Sequence, residues 1–247
     1  MTKLDVLITD NRVMDGRFGD ISFADWGIEC SDRHSFVTLT DIARNAHNTG
    51  DIWHLSGGRL KIDLKTHLVA AGCLAVSASF TALDDIMLQD AVIRFVFAKT
   101  GIDHGIIADQ SFKHANSDKY RLYPVRQAEL VSHANHRAVL TLTRSDGAGR
   151  FDPYLYLRDR DDHWIIHARL LPSGPVDQVW LRWANRFFTL SAPDWVAKRL
   201  WGIGPVRRFL WRLRERRGRH CPEIQAVPLN RLTAGQTLGM EVTCHFH

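Results

Sequence analysis

The sequence predicts a mainly β chain: an antiparallel β-sandwich, jelly-roll-like, with a helical insertion near the C-terminus. Two observations carry the β part. Short segments of residues 1–172 alternate apolar with polar side chains, and turn residues separate those segments at short intervals. A third observation carries the insertion. After Val176 the apolar spacing changes from two to three and four, the period of a helix.

The segments justify this in order. In Leu60 to Lys65, Leu60, Ile62 and Leu64 face one way and Lys61, Asp63 and Lys65 the other. Ala91 to Phe97 is apolar on both faces except at Arg94, as a strand covered on both sides would be. In Arg137 to Arg144, Ala138, Leu140 and Leu142 share a face opposite Val139, Thr141 and Thr143. Ser56-Gly57-Gly58, Thr100-Gly101, Asn116-Ser117-Asp118 and Ser145-Asp146-Gly147 supply turns. Tyr154 to Leu170 reads as a hairpin with Arg160-Asp161 as its loop, which sets Asp159 against Asp162 and Tyr154 against His167. That register gathers Leu155, Leu157, Trp164, Ile166 and Ala168 on one face. Tyr154, Tyr156, Arg158, His163, His167 and Arg169 gather on the other. Leu238 to Phe246 alternates again and is expected to return to a sheet, so that 1–247 forms one β-rich domain.

Between these strands lies the insertion, residues 176–217. Val176, Val179, Trp180, Trp183, Ala184, Phe187 and Phe188 recur at helical spacing, and Ser191-Ala192-Pro193 starts a second helix. Five of the eight tryptophans fall between residues 176 and 211. The charge is equally uneven. Residues 198–219 hold nine Lys and Arg against one Glu, which is +8, whereas the whole chain of 247 residues carries +5. The remainder is therefore mildly acidic, and the anionic partner this pattern implies is a local one. Arg207, Arg208, Trp211, Arg212, Arg214, Arg216 and Arg217 are the expected contacts to an anionic membrane surface. The same Arg and Trp content could hold single-stranded nucleic acid, but no recognised nucleic-acid motif accompanies it.

The polar face of the hairpin is the leading ligand site. Tyr rings stack on sugars, and Arg and His donate to hydroxyls and carboxylates. A His or Tyr near the C5 proton of a uronate, with Arg neutralising its carboxylate, is also what β-elimination requires. His167 and Tyr154 are the expected catalytic residues; Tyr156, Arg158, His163 and Arg169 are the expected ligand contacts. Three weaker constellations stand beside this one. Asn45, His47, Asn48, Asp51, Trp53 and His54 sit in an expected loop. Asp103-His104 is followed by His114, Asn116, Lys119, Tyr120 and Arg121, with no activated serine nearby. His245 and His247 share a strand face beside Cys244, and His220-Cys221 comes earlier, but no spacing fixes a third metal ligand. No metal or cofactor is expected.

The functional expectation is a protein that binds or processes a saccharide, an acidic one, at the cytoplasmic face of the membrane. Two alternatives are a noncatalytic peripheral membrane scaffold and a single-stranded nucleic-acid binder. The N-terminal MTKLDVLITD carries no apolar export segment, and Cys30, Cys73, Cys221 and Cys244 are far apart with no paired motif. A cytoplasmic location with reduced thiols is the expectation.

Overall fold

A computed structural model describes residues 2–32, 35–39, 51–116, 121–173, 203–205 and 229–247. The chain divides into two compact units, Met1–Ser173 with Leu229–His247, and Gly174–Pro228. The expected helices and the arginine-rich contacts at 206–217 lie outside the described residues, and Ile203–Pro205 alone cannot define a helix.

The described residues form nineteen strands: β1 (Leu4–Thr9), β2 (Arg12–Phe18), β3 (Ile21–Ala24), β4 (Gly27–Ser31), β5 (Phe36–Thr38), β6 (Ile52–Leu55), β7 (Gly58–Ala70), β8 (Cys73–Ala82), β9 (Ile86–Leu88), β10 (Asp90–Ala98), β11 (Ile102–Ile107), β12 (Gln110–Lys113), β13 (Arg121–Tyr123), β14 (Gln127–Ser132), β15 (Arg137–Asp146), β16 (Phe151–Arg160), β17 (His163–Pro172), β18 (Asn230–Leu232) and β19 (Thr237–Phe246). Every pairing is antiparallel. The first sheet runs β1-β2-β3-β10-β17-β16-β13, with β4 also on β10 and β5 on β4. The second runs β12-β11-β14-β15-β19-β8-β7-β6, and β18 with β9 makes a separate ribbon.

Alternation explains why the two sheets pack. One face of each is apolar, and these faces bury one contiguous core. Phe23 of β3 stacks on Phe246 of β19 with ring centroids 5.0 Å apart, which joins the sheets directly. Gly16 makes room for that contact, because a Cβ there would stand 2.3 Å from the Phe23 ring. Trp26, Trp53 and Trp164 are fully buried, and each such side chain contributes on the order of 2 kcal/mol or more. The expected alternations hold: Leu60 and Ile62 are buried while Lys61 and Asp63 are exposed, and Ala138, Leu140 and Leu142 point into the core. Strand β19 does return, between β15 and β8.

The hairpin differs from expectation in its pairing. Its loop is Asp161-Asp162, and Arg160 pairs with His163, Asp159 with Trp164 and Tyr156 with His167. The sum of paired positions moves by two, so each side chain keeps its face. The shift removes the repulsion of Asp159 against Asp162. Asp159 instead enters the core side and pairs with Arg121 Nη1 at 2.9 Å, while its other oxygen accepts the Ala115 amide at 2.9 Å. Where the first unit breaks off and resumes, Ser173 and Asn230 both donate to the Arg150 carbonyl, each at 2.7 Å. Ser173 and Asn230 thus meet at one carbonyl.

Candidate functional site

The outer face of the first sheet carries the expected polar set, and register brings further residues into it. Arg94 lies across from His167, and Val92 from Arg169. On the other side of β10, Val92 lies across from Glu29 and Asp90 from Ser31. Tyr156 pairs with His167, and Tyr154 with Arg169. Residues directly opposite on an antiparallel pair share a face. Tyr154, Tyr156, His167, Arg169, Arg94, Glu29, Asp90 and Ser31 therefore occupy one contiguous patch over β16, β17, β10 and β4.

The floor of this patch is dry. Tyr156 is 1% exposed, Arg169 5%, Asp90 5%, Glu29 7% and His167 8%. Arg94, whose side chain is 30% exposed, lies nearer solvent, and Arg158 and Tyr154 are half-buried. Arg169 bonds closely to Asp90, whose second oxygen accepts the Ser31 hydroxyl. Glu29 places Oε1 3.5 Å from Arg94 Nε and Oε2 4.0 Å from His167 Nε2. The Tyr156 and His167 rings meet edge to face at 5.3 Å, and the Arg169 guanidinium lies 5.9 Å from the Tyr156 ring centre.

This environment shifts both titrating partners. Burial pushes the Glu29 carboxyl up from its ordinary value, against the pull of Arg94, and the Asp90 charge adds to the rise. Burial also holds His167 well below the usual imidazole range, reinforced by Arg169, Arg158 and Arg94. Both shifts favour a neutral Glu29–His167 pair, and burial raises the Tyr154 phenol as well, with help from Asp152.

Of the six expected site residues, Tyr154, Tyr156, His167 and Arg169 lie in this patch, and Arg158 continues its face along β16 opposite Ile165. His163 is on the same face but at the exposed hairpin end, four residues or about 13 Å along the strand from His167. Glu29 and Asp90 escape a sequence reading, because the acids sit singly in short apolar strands. The lone charge of Arg94 inside an apolar strand was the one available signal. The other constellations disperse. Trp53 is core, and residues 45–48 lie outside the described set, as do Lys119 and Tyr120. Asp103 holds His104 at 2.9 Å on the second sheet. His245 Nε2 lies 3.4 Å from Cys73 Sγ, and among the described residues no three His, Cys, Asp or Glu converge as a metal site. No helix among the described residues is long and apolar enough to cross a membrane.

No protein-family model matches the chain, and no curated protein matches it.

Proposed function

We propose that this chain binds an acidic saccharide on the outer face of the first sheet and acts on it by acid–base chemistry. The supporting observation is the convergence of Glu29, His167 and Arg94 in a water-poor patch. Burying carboxylates, arginines and a histidine is costly compared with packing apolar residues, and sites that shift pKa values in this way concentrate where protons are moved. The fold itself carries no such implication.

The chemistry the residues suit is elimination across C4 and C5 of a uronate. Arg94 and Arg158 meet the sugar carboxylate and stabilise the charge that develops on it. Neutral His167 takes the C5 proton. The C4–O4 bond breaks as the C4–C5 double bond forms, and the Tyr154 hydroxyl returns a proton to O4. Glu29 is a positioning residue: it stands behind Nε2 and orients the ring. Tyr156 packs the His167 ring and Arg169, tied to Asp90, fixes the floor. The test is calorimetric titration with oligogalacturonate and oligomannuronate. Arg94→Gln should weaken binding about tenfold or more, consistent with the loss of a charge-assisted contact. Equal binding by the variant contradicts the assignment.

The architecture also supports a finer description, a jelly-roll-like sandwich, since successive strand groups alternate between the two sheets. The +8 segment at 198–219 supports a basic amphipathic insertion that brings the site to the anionic inner membrane face, where an acidic glycan would be assembled.

A further inference from the structure

We infer that the outer face of the second sheet carries a separate binding trough for a neutral, polyhydroxylated ligand, of which an uncharged oligosaccharide is the fitting class. It is a cavity of about 340 Å³, lined among others by Asp63, Lys65, Ser77, Ser79, Arg144 and Asp146.

Register builds it from two rows of four residues. One row runs Lys65–Ser77–Glu241–Arg144, the other Asp63–Ser79–Gly239–Asp146, each crossing β7, β8, β19 and β15. The walls stand three inter-strand spacings apart, about 14 Å. Each wall carries a cation on the first row and a carboxylate on the second. The floor between them is poor in side chains: two serines, a glycine and Glu241. A bulge in β15 creates the far wall. The pairing shifts between Leu142 and Arg144, so that Arg144 faces Glu241 and Asp146 faces Gly239 on the outside. Without the extra residue, the alternation from Leu142 would turn both charges toward the core. Bulges that re-aim side chains in this way cluster at functional sites.

The composition selects the ligand. Three carboxylates against two cations disfavour an anion. The lining offers no aromatic or large aliphatic face except Met240, whose side chain is buried, which disfavours an apolar ligand. What remains is a dense, alternating set of donors and acceptors, the pattern a row of sugar hydroxyls satisfies because each hydroxyl both donates and accepts. Arg144 is exposed and, among the described residues, has no ion-pair partner, whereas Lys65 lies 3.5 Å from Asp63.

Gly239 provides the test. A Cβ there would meet Asp146 Cβ at 3.9 Å, an ordinary contact, so a side chain fits the backbone and fills the floor. Wild type, Gly239→Leu and Asp146→Asn are titrated by NMR with neutral gluco-, manno-, galacto- and xylo-hexasaccharides and with oligogalacturonate. Neither substitution touches Glu29 or His167, so failure here and failure of the first-sheet reading are separate results. Wild type should bind at least one neutral hexasaccharide with Kd of about 1 mM or tighter. Both variants should weaken it about tenfold, with melting temperatures within a few degrees of wild type. Absence of neutral-saccharide binding by wild type, or unchanged binding by both variants, overturns the proposal.

Discussion

Glu29 and His167 sit on opposite sides of the same strand, β10, and reach across it until Oε2 and Nε2 are 4.0 Å apart. Their strands are two spacings apart, so both side chains must lean over Arg94 and Val92 to meet. Neither is a residue that a sheet needs at that depth. Their shifts make stability depend on pH in opposite senses. The folded state keeps His167 neutral, while the unfolded chain takes up its proton below about pH 6.5. Stability is therefore lost as pH falls from about 6.5. His167→Gln should flatten that slope, by at most about 1.4 kcal/mol per pH unit. Glu29 acts the other way: its folded value is raised, so its contribution is present below about 4.5 and lost as pH rises. Glu29→Gln should gain on wild type as pH rises from there. Urea unfolding at several pH values reads both.

One end of the sandwich is fastened by Asp20 and His136, with Nδ1 2.8 Å from Oδ1. Burial alone would raise the Asp20 carboxyl, but hydrogen bonds from His136, Ser132 and the Ala134 amide outweigh it and hold it at about 2. The group contributes stability above about pH 4 that is lost as pH falls toward 2. From the shift, this is about 2 kcal/mol, and Asp20→Asn should remove most of it at neutral pH and leave acid unfolding at pH 2 nearly unchanged.

Inside the core, Arg121 and Asp159 form a buried pair, and the Arg121 guanidinium also lies 4.4 Å over the Phe112 ring. Removing one member takes a buried charge-assisted partner away from the other. Asp159→Ala should lower unfolding stability by about 3–5 kcal/mol, and chemical denaturation measures it. The double replacement Arg121→Met with Asp159→Leu should recover most of the loss. A loss as large as in the single variant would show that the pair does more than satisfy itself.

The arginine-rich segment makes its own prediction. Wild type should float with anionic vesicles at low salt and release near 1 M, where screening shortens to about 3 Å. Arg208→Glu with Arg212→Glu and Trp211→Ala should abolish flotation. Equal binding to neutral vesicles would assign the anchoring to apolar residues instead, and preference for single-stranded nucleic acid over vesicles would replace the membrane reading.

Much of the fold was legible because period-two alternation is a local property: Leu60 to Lys65, Arg137 to Leu142 and Leu238 to Phe246 each name their buried face without reference to a partner. Pairing is not local. The hairpin register could slip by two residues without disturbing the faces, and contacts from outside the hairpin, such as those of Arg121 and the Ala115 amide to Asp159, bear on which register is kept. The site was half legible for the same reason. Tyr154, Tyr156, His167 and Arg169 are neighbours within one hairpin, whereas Asp90 lies on β10 and Glu29 on β4, strands far earlier in the chain that only the sheet pairing brings to it. The bulge that turns Arg144 and Asp146 outward was hidden because strict alternation assigns Arg144 to the core side.

On the proposed function, this outer face performs acid–base chemistry on an acidic saccharide. The most direct measurement follows oligogalacturonate and oligomannuronate with the protein by ultraviolet absorbance, which rises when the conjugated C4–C5 double bond of an unsaturated uronate forms. Wild type should produce that rise. His167→Ala and Tyr154→Phe should reduce the rate about 10²-fold or more, and Glu29→Gln should shift its pH profile. Binding without any unsaturated product would contradict the chemistry, and a rise that persists unchanged in His167→Ala would contradict the site.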